Sequence, residues 1–212
     1  MPAQSLQTDA FVLLKRPAAD SFQSFTVFSG EHGALFVLQR LPSGRSASTR
    51  RAAPSSHALD LFDEASLWLE SGNQGRTWFV KEARLVTRAA GIGRDYESLR
   101  LASAFAAVVA RNAVSEESRP AVAELLRGGF AAFAAESRPD VVFFKCLYRF
   151  ARDEGYPLKQ QWFSTLPSAD RATVTTLLNR PVAEQSADAA AVSRLHRRLE
   201  EYLRGHTEIL LE

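Results

Sequence analysis

Apolar and β-branched residues fall into five short runs over the first ninety residues, a pattern typical of β-strands. Gly30 and Gly33 bracket a turn between the second and third runs, because glycine adopts a positive φ at low cost. The third run is apolar on both faces, as in a strand of a closed barrel. The runs cover residues 8–16, 22–29, 34–39, 58–70 and 77–88. This pattern predicts a small barrel of five antiparallel strands.

The apolar spacing becomes helical beyond residue 95. Leu101, Phe105, Val108 and Val109 follow the i, i+4, i+7, i+8 spacing of one helix face. Four further helices are predicted around residues 120–133, 139–154, 168–178 and 187–204, and the last residues are expected to be extended or to form a final strand. The paired Gly128 and Gly129 indicate a kink or a close helix contact. The change of period near Gly91 predicts a β domain over residues 1–90 and an all-α domain over residues 91–212.

Composition and charge restrict the class of protein but do not indicate an activity. The chain has 212 residues, a net charge of +2 and one cysteine. It lacks an apolar run of membrane-spanning length and begins without a signal-like segment, so we expect a protein of the reducing cytoplasm. Between Gly33 and Leu59 all four charged residues are arginines. Two interpretations of this segment stay open, a solvated surface loop and a phosphate-binding one.

Chemistry-bearing residues do not form any catalytic or metal-binding pattern along the chain. The four histidines lie apart, and Cys146 falls among apolar residues of a predicted helix, where burial keeps a thiol protonated. We find no nucleophile motif, no phosphate-binding glycine loop and no zinc-ligand spacing. The sequence therefore predicts a binding protein rather than an enzyme, with no metal and no cofactor.

Several segments, taken in order, resemble the RecO family of bacterial DNA repair and recombination mediators. They are the apolar strand before Arg16-Pro17, the turn from Phe28 to Gly33, and the helix that ends at Gly155-Tyr156. The resemblance implies an N-terminal OB-fold barrel and a C-terminal helical domain. Two features depart from the family: the four zinc-binding cysteines are absent, and the basic cluster after the third strand is thinner.

The resemblance also implies a function and partners. A RecO-like protein binds and anneals DNA and helps to load recombinase onto single-stranded DNA. Its partners would be single- and double-stranded DNA, the acidic C-terminal tail of single-stranded-DNA-binding protein, and RecR. The alternative is a protein-interaction adaptor of the same fold with weak or lost DNA binding, which the thinned basic cluster favours.

The resemblance assigns candidate residues to both domains. DNA contacts fall first to Arg40, Arg45, Arg50 and Arg51, and then to Lys15, Arg16, Lys81, Arg84 and Arg88. Phe25, Phe36 and Trp78 are candidates for base stacking, with core packing as the alternative. The acidic tail would meet Arg149, Arg152, Arg194, Arg197 and Arg198, although salt bridges of the last helix to Glu200 and Glu201 are the alternative role.

Overall fold

A computed structural model of the chain describes residues 4–19, 21–41 and 57–211. The chain divides into two compact units, Met1–Arg88 and Ala89–Glu212. Three of the predicted DNA-binding residues, Arg45, Arg50 and Arg51, lie outside the described residues. The first unit is built from strands and the second from helices.

The first unit is a closed barrel of five strands. They are β1 (Gln4–Lys15), β2 (Phe22–Ser29), β3 (Gly33–Arg40), β4 (Glu64–Ser71) and β5 (Trp78–Thr87). Around the barrel they follow the order β1-β2-β3-β5-β4, and β4 closes onto β1. The predicted five-stranded barrel followed by helices is therefore confirmed. The expectation that all pairs are antiparallel is wrong, because β3 and β5 run parallel where they close the barrel.

The pairing of β2 with β3 determines which side chains of these two strands point into the barrel and which point outward. Its register pairs Phe22 with Arg40 at one end and Ser29 with Gly33 at the turn. Gly33 has a φ of 70°, which a glycine adopts without strain. The Ser29 hydroxyl accepts a hydrogen bond from the backbone N–H of Glu31 at 3.1 Å, which fixes the turn. Because side chains alternate along a strand, this register decides which of them point outward.

The predicted fourth strand begins at residue 58, whereas β4 begins six residues later, at Glu64. Phe62 has a φ of 66°, so the backbone leaves the extended conformation just before Glu64. The buried Asp63 carboxylate accepts a hydrogen bond from the Asp60 N–H at 2.9 Å, and Val12 donates its N–H to the Asp63 carbonyl at 2.8 Å. Residues 60–63 therefore form a turn held against β1.

Alanine, valine and leucine side chains fill the barrel interior together with two large aromatic rings. Phe25 is only 1% exposed, and Trp78 is 9% exposed. The remaining buried members of this core are Ala10, Val12, Val27, Val37, Leu59, Ala65, Leu67, Leu69 and Ala83. Their removal from water is the main stabilising term of this unit.

The second unit contains six α-helices within the described residues. They are α1 (Tyr96–Arg111), α2 (Arg119–Ala135), α3 (Pro139–Asp153), α4 (Trp162–Thr165), α5 (Ser168–Asn179) and α6 (Ala189–His206). The sequence pattern missed only the single turn α4. The Asp95 carboxylate caps α1 by accepting the Ser98 N–H at 2.8 Å. No helix in the described part of the chain is long and apolar enough to cross a membrane.

Helix α3 is the centre of the second unit, because nine of its fifteen residues are buried. The last described residues do not form a strand. They run extended along the end of α1, where the Asn112 side chain accepts the Leu210 N–H and donates to the Leu210 carbonyl, both at 2.9 Å. This arrangement satisfies the backbone of the tail without a sheet.

The two adjacent glycines of α2 face different surroundings. A Cβ atom at Gly129 would lie 3.0 Å from the Cys146 Sγ of α3, whereas a Cβ atom at Gly128 would meet nothing within 4 Å. Helix α2 continues through both residues. The pair therefore marks a close contact between α2 and α3 rather than a break in the helix.

This difference predicts opposite effects of the same substitution. Gly128→Ala should raise the free energy of unfolding by about 0.5–1 kcal/mol, because alanine restricts the unfolded chain. Gly129→Ala should lose most or all of that gain through its contact with Cys146. Urea unfolding of both variants measures the difference. Equal stabilisation by the two substitutions would show that α2 and α3 are not in close contact at Gly129.

Candidate nucleic-acid interface

The outer surface of β2, β3 and β5 carries large apolar side chains that the barrel core does not take. Phe36, Leu38 and Arg40 alternate with the buried Val37 and Gln39 along β3. We call the outward-pointing residues Phe22, Phe36, Leu38, Arg40 and Phe79 the β2–β3–β5 face. At the rise of a strand, the distance from Phe36 to Arg40 is about 13 Å.

Two phenylalanines from different strands meet on this face. The rings of Phe22 and Phe79 are 5.7 Å apart and nearly perpendicular. Leu38 pairs with Phe79 across the parallel β3–β5 junction, and Phe22 pairs with Arg40. Phe79 is 38% exposed, and Phe22 is half-buried. The face thus presents aromatic surface to solvent instead of burying it.

Arg16 covers the third aromatic ring of the face. Its guanidinium carbon lies 5.4 Å from the centre of the Phe36 ring, within the range of a cation–π contact. The backbone position of Arg16 is fixed, because its N–H donates to the Ser24 carbonyl at 3.1 Å. Neither Arg16 nor Arg40 has a carboxylate partner among the residues that the structure describes.

The β4–β5 loop supplies one more exposed cation, Arg76. The Asn73 side chain accepts the Thr77 N–H at 3.0 Å, and the Ser71 hydroxyl accepts the Gly75 N–H at 3.0 Å, so the loop is an ordered turn. Arg76 precedes Trp78 by two residues, and Trp78 pairs with Val37. Since β3 and β5 are parallel, Arg76 lies toward the Phe36 end of the face.

The other four described cations that the sequence assigned to DNA are paired with carboxylates. Lys15 contacts Asp60 at 2.9 Å, Lys81 contacts Glu70 at 2.7 Å, and Arg84 contacts Glu82 at 2.6 Å. Arg88 donates to both oxygens of Asp63, and this hydrogen bonding raises the pKa of Arg88. A cation held by a carboxylate offers a phosphate less attraction, because the two opposite charges largely cancel at a distance.

The candidate stacking residues divide between the core and the surface. Phe25 and Trp78 lie in the barrel core, as the alternative interpretation had it, whereas Phe36 points outward. The sequence interpretation missed Phe22, Leu38, Phe79 and Arg76. The period-two alternation of β2 and β3 could have assigned the first two to the outer surface. Phe79 required the parallel β3–β5 pairing, which no local pattern predicts.

A different outer surface of the barrel carries the exposed Trp68. This side chain is 51% exposed and lies between Gln7 of β1 and Glu82 of β5. The cations beside it, Lys81 and Arg84, are paired with Glu70 and Glu82, and Asp9 adds a negative charge, so this surface offers a polyanion little attraction. Within the described part of the barrel, aromatic rings and cations without carboxylate partners thus coincide on the β2–β3–β5 face.

In the second unit, α3 lines a groove with a volume of about 1060 Å³. Lys145, Arg149, Arg152 and Lys159 surround it with positive charge, and Tyr148, Leu158, Phe163 and Leu178 supply apolar surface. Burial and the neighbouring Arg149 lower the pKa of Lys145, whose ammonium donates to the Arg180 carbonyl at 2.7 Å. Arg149 has no carboxylate partner among the described residues, whereas Arg152 contacts Asp153 at 2.6 Å.

The remaining residues predicted for an acidic tail are not in this groove. Arg194 and Arg198 of α6 both bind the buried Asp170, at 2.9 and 2.7 Å. Arg197 lies 3.8 Å from Glu201. We correct the predicted set accordingly: two of the five cations, Arg149 and Arg152, line the α3 groove, and the three on α6 form ion pairs. The sequence alternative named glutamates as the partners and missed Asp170.

Residues that could hold a metal do not cluster in the part of the chain that the structure describes, where no group of three or more His, Cys, Asp and Glu side chains forms such a site. Comparison with known proteins adds no assignment: no family model and no curated protein matches the chain.

Cys146 is the one thiol of the chain and is buried beside Gly129. Burial raises the pKa of this thiol to about 12. Because the thiolate is the reactive form, we expect a thiol reagent at pH 8 to leave the native protein unlabelled and to react only after unfolding. Mass spectrometry with and without urea measures this. Rapid labelling of the native protein would contradict the packing of α2 on α3.

Proposed function

We propose that this protein is a RecO-like mediator of DNA repair and recombination, which binds and anneals DNA and helps to load recombinase onto single-stranded DNA. The observation that carries this proposal is the β2–β3–β5 face. It combines exposed aromatic rings with Arg16 and Arg40, two cations without carboxylate partners among the described residues. Proteins that bind single strands use this combination, with bases on the rings and phosphates on the cations.

The barrel topology supports an OB-fold assignment. An OB-fold is a five-stranded Greek-key barrel that binds oligonucleotides on strands 2 and 3 and on the β1–β2 and β4–β5 loops. In this chain Arg16 enters the β1–β2 loop, and Arg76 lies in the β4–β5 loop. Arg40 and Phe36 belong to strand 3. These positions of the cations and rings support the proposal that the barrel is an OB-fold and binds nucleic acid on this side.

The chemistry of the face favours single strands over duplex. Stacking requires an unpaired base, and each stacked base contributes about 1–3 kcal/mol. Phe36 and the Phe22–Phe79 pair lie at two levels of the same surface, separated by roughly 7–13 Å along β3. Duplex DNA would meet only the cations, because its bases are already stacked on each other.

The α3 groove supports a second part of the proposal, binding of the acidic tail of single-stranded-DNA-binding protein. Three of its four cations, Lys145, Arg149 and Lys159, have no carboxylate partner among the described residues and attract carboxylates, and its apolar surface suits hydrophobic side chains. RecR is the further partner that the resemblance to RecO implies, and the cytoplasm is the compartment. Arg45, Arg50 and Arg51, which follow Arg40 in the sequence and lie outside the described residues, remain proposed phosphate contacts.

An adaptor that has the same fold and little DNA affinity is the second candidate. The observation in its favour is that four of the six described cations assigned to DNA are paired with carboxylates. A protein under selection for binding a polyanion gains little from such pairs. Salt-dependent binding separates the two candidates, because each phosphate contact releases counterions.

We predict that replacing both Arg16 and Arg40 with glutamine weakens binding of a fluorescent single-stranded oligonucleotide. Each lost phosphate contact removes about 0.7 from the slope of log K against log salt, so the slope should flatten by up to about 1.4. The matched control replaces Lys81 and Arg84 with glutamine, because these two cations are already paired with Glu70 and Glu82. The control should change the slope much less.

Fluorescence anisotropy from 50 to 300 mM salt measures both variants against the parent protein. Equal slopes for the two double variants would remove the β2–β3–β5 face from the proposal. A parent protein that does not bind at the lowest salt concentration would favour the adaptor.

A further inference from the structure

We propose that Arg16 and Phe36 form a clamp that holds one unpaired nucleobase between the guanidinium group and the phenyl ring. This inference rests on the proposed function and adds a specific role for one pair of residues. It assigns to Arg16 a stacking contact with a base in addition to the attraction of its charge to phosphate.

The distance between the two groups is the first reason. A base that stacks on both sides needs a gap of about 6.8 Å, twice the 3.4 Å stacking distance of DNA. The guanidinium carbon of Arg16 now lies 5.4 Å from the centre of the Phe36 ring. This distance is shorter than the gap that a base needs, so the guanidinium group has to move outward to admit one, which a long side chain accomplishes by rotations about its own bonds.

The way in which Arg16 is held is the second reason. Its backbone is fixed on both sides, because its N–H donates to the Ser24 carbonyl at 3.1 Å and its carbonyl accepts the Gln23 side-chain amide. Pro17 follows and restricts the chain further. The guanidinium group has no carboxylate partner among the described residues. The fixed backbone keeps the Arg16 side chain close to the Phe36 ring. Because no carboxylate holds the guanidinium group, it can move outward when a base enters.

The nature of the two surfaces is the third reason. Arginine presents a flat, delocalised cation that stacks on aromatic faces, and unpaired bases stack on such planes. The Phe22–Phe79 pair on the same face is arranged edge to face, and Arg16 over Phe36 is the cation–aromatic contact found in the described residues. Phe36 thus differs from the Phe22–Phe79 pair in having a guanidinium group over its ring.

The experiment compares two probes of equal length and charge. One is an oligothymidine, and the other is the same deoxyribose-phosphate strand with abasic residues. The substitutions are Arg16→Lys, which keeps the charge and removes the planar surface, Phe36→Leu, and the two combined. The matched control is Arg84→Lys, the same exchange at an exposed position outside the β2–β3–β5 face, where the guanidinium group is paired with Glu82. Circular dichroism checks that each variant is folded.

We expect the parent protein to prefer the oligothymidine by about fivefold or more, the factor that one stacked base provides. The clamp should account for part of this preference, and Arg16→Lys and Phe36→Leu should each remove most of that part. The double variant should have nearly the same preference as either single variant. The salt slope of Arg16→Lys should equal that of the parent, because its charge remains. Arg84→Lys should leave the preference unchanged.

Three results would overturn the clamp. The parent protein could bind both probes equally, Arg16→Lys could retain the full preference, or Arg16→Lys and Phe36→Leu could act additively. In the last two cases the proposed function stands without the clamp, whereas equal binding of both probes would also remove base stacking from the β2–β3–β5 face and leave binding through its cations alone. If neither probe binds at low salt, the proposed function fails and the clamp fails with it.

Discussion

Closure of the five strands into a barrel is the constraint on which the account depends. Each strand residue points either into a dry core or onto the outer surface, and the register of β2 on β3 fixes the choice. Phe25 and Val37 are thereby committed to the core, and Phe36 and Leu38 to the surface. The parallel β3–β5 junction then adds Phe79 to the same surface, so that three strands build one aromatic face.

Ion pairing divides the cations of the barrel into those held by carboxylates and those without such partners in the described residues, just as the alternation divides its apolar residues between core and surface. Arg88 is held by a buried carboxylate, Asp63, whose side chain is 1% exposed, and the turn before β4 depends on the same carboxylate. Its charge therefore serves the fold. Arg16 and Arg40 stand on the aromatic face without such partners in the described residues, and their charges remain for a ligand. In the second unit, Asp170 holds Arg194 and Arg198 in the same structural role, while Arg149 faces the α3 groove.

Local pattern was sufficient for the existence and type of most elements. Runs of apolar and β-branched residues predicted the five strands, and the 3.6-residue period predicted the long helices α1, α2, α3 and α6. The start of β4 was wrong because the left-handed conformation of Phe62 has no sequence signal in a non-glycine residue. The candidate site was predicted less well, because the partners of Lys81 and Arg88, Glu70 and Asp63, come from segments distant in the sequence. Phe79 was missed for the same reason, since strand pairing between distant segments leaves no mark in local spacing.

The central claim is that single-stranded DNA binds on the outer surface of β2, β3 and β5. Backbone amide chemical shifts of the isotope-labelled protein, followed during titration with a short oligothymidine, test it most directly. The account predicts saturable shifts at Phe22, Phe36, Leu38, Arg40 and Phe79, with little change at Trp68 and Gln7 on the other surface. Shifts confined to the surface around Trp68, or no shifts on the barrel at low salt, would contradict it.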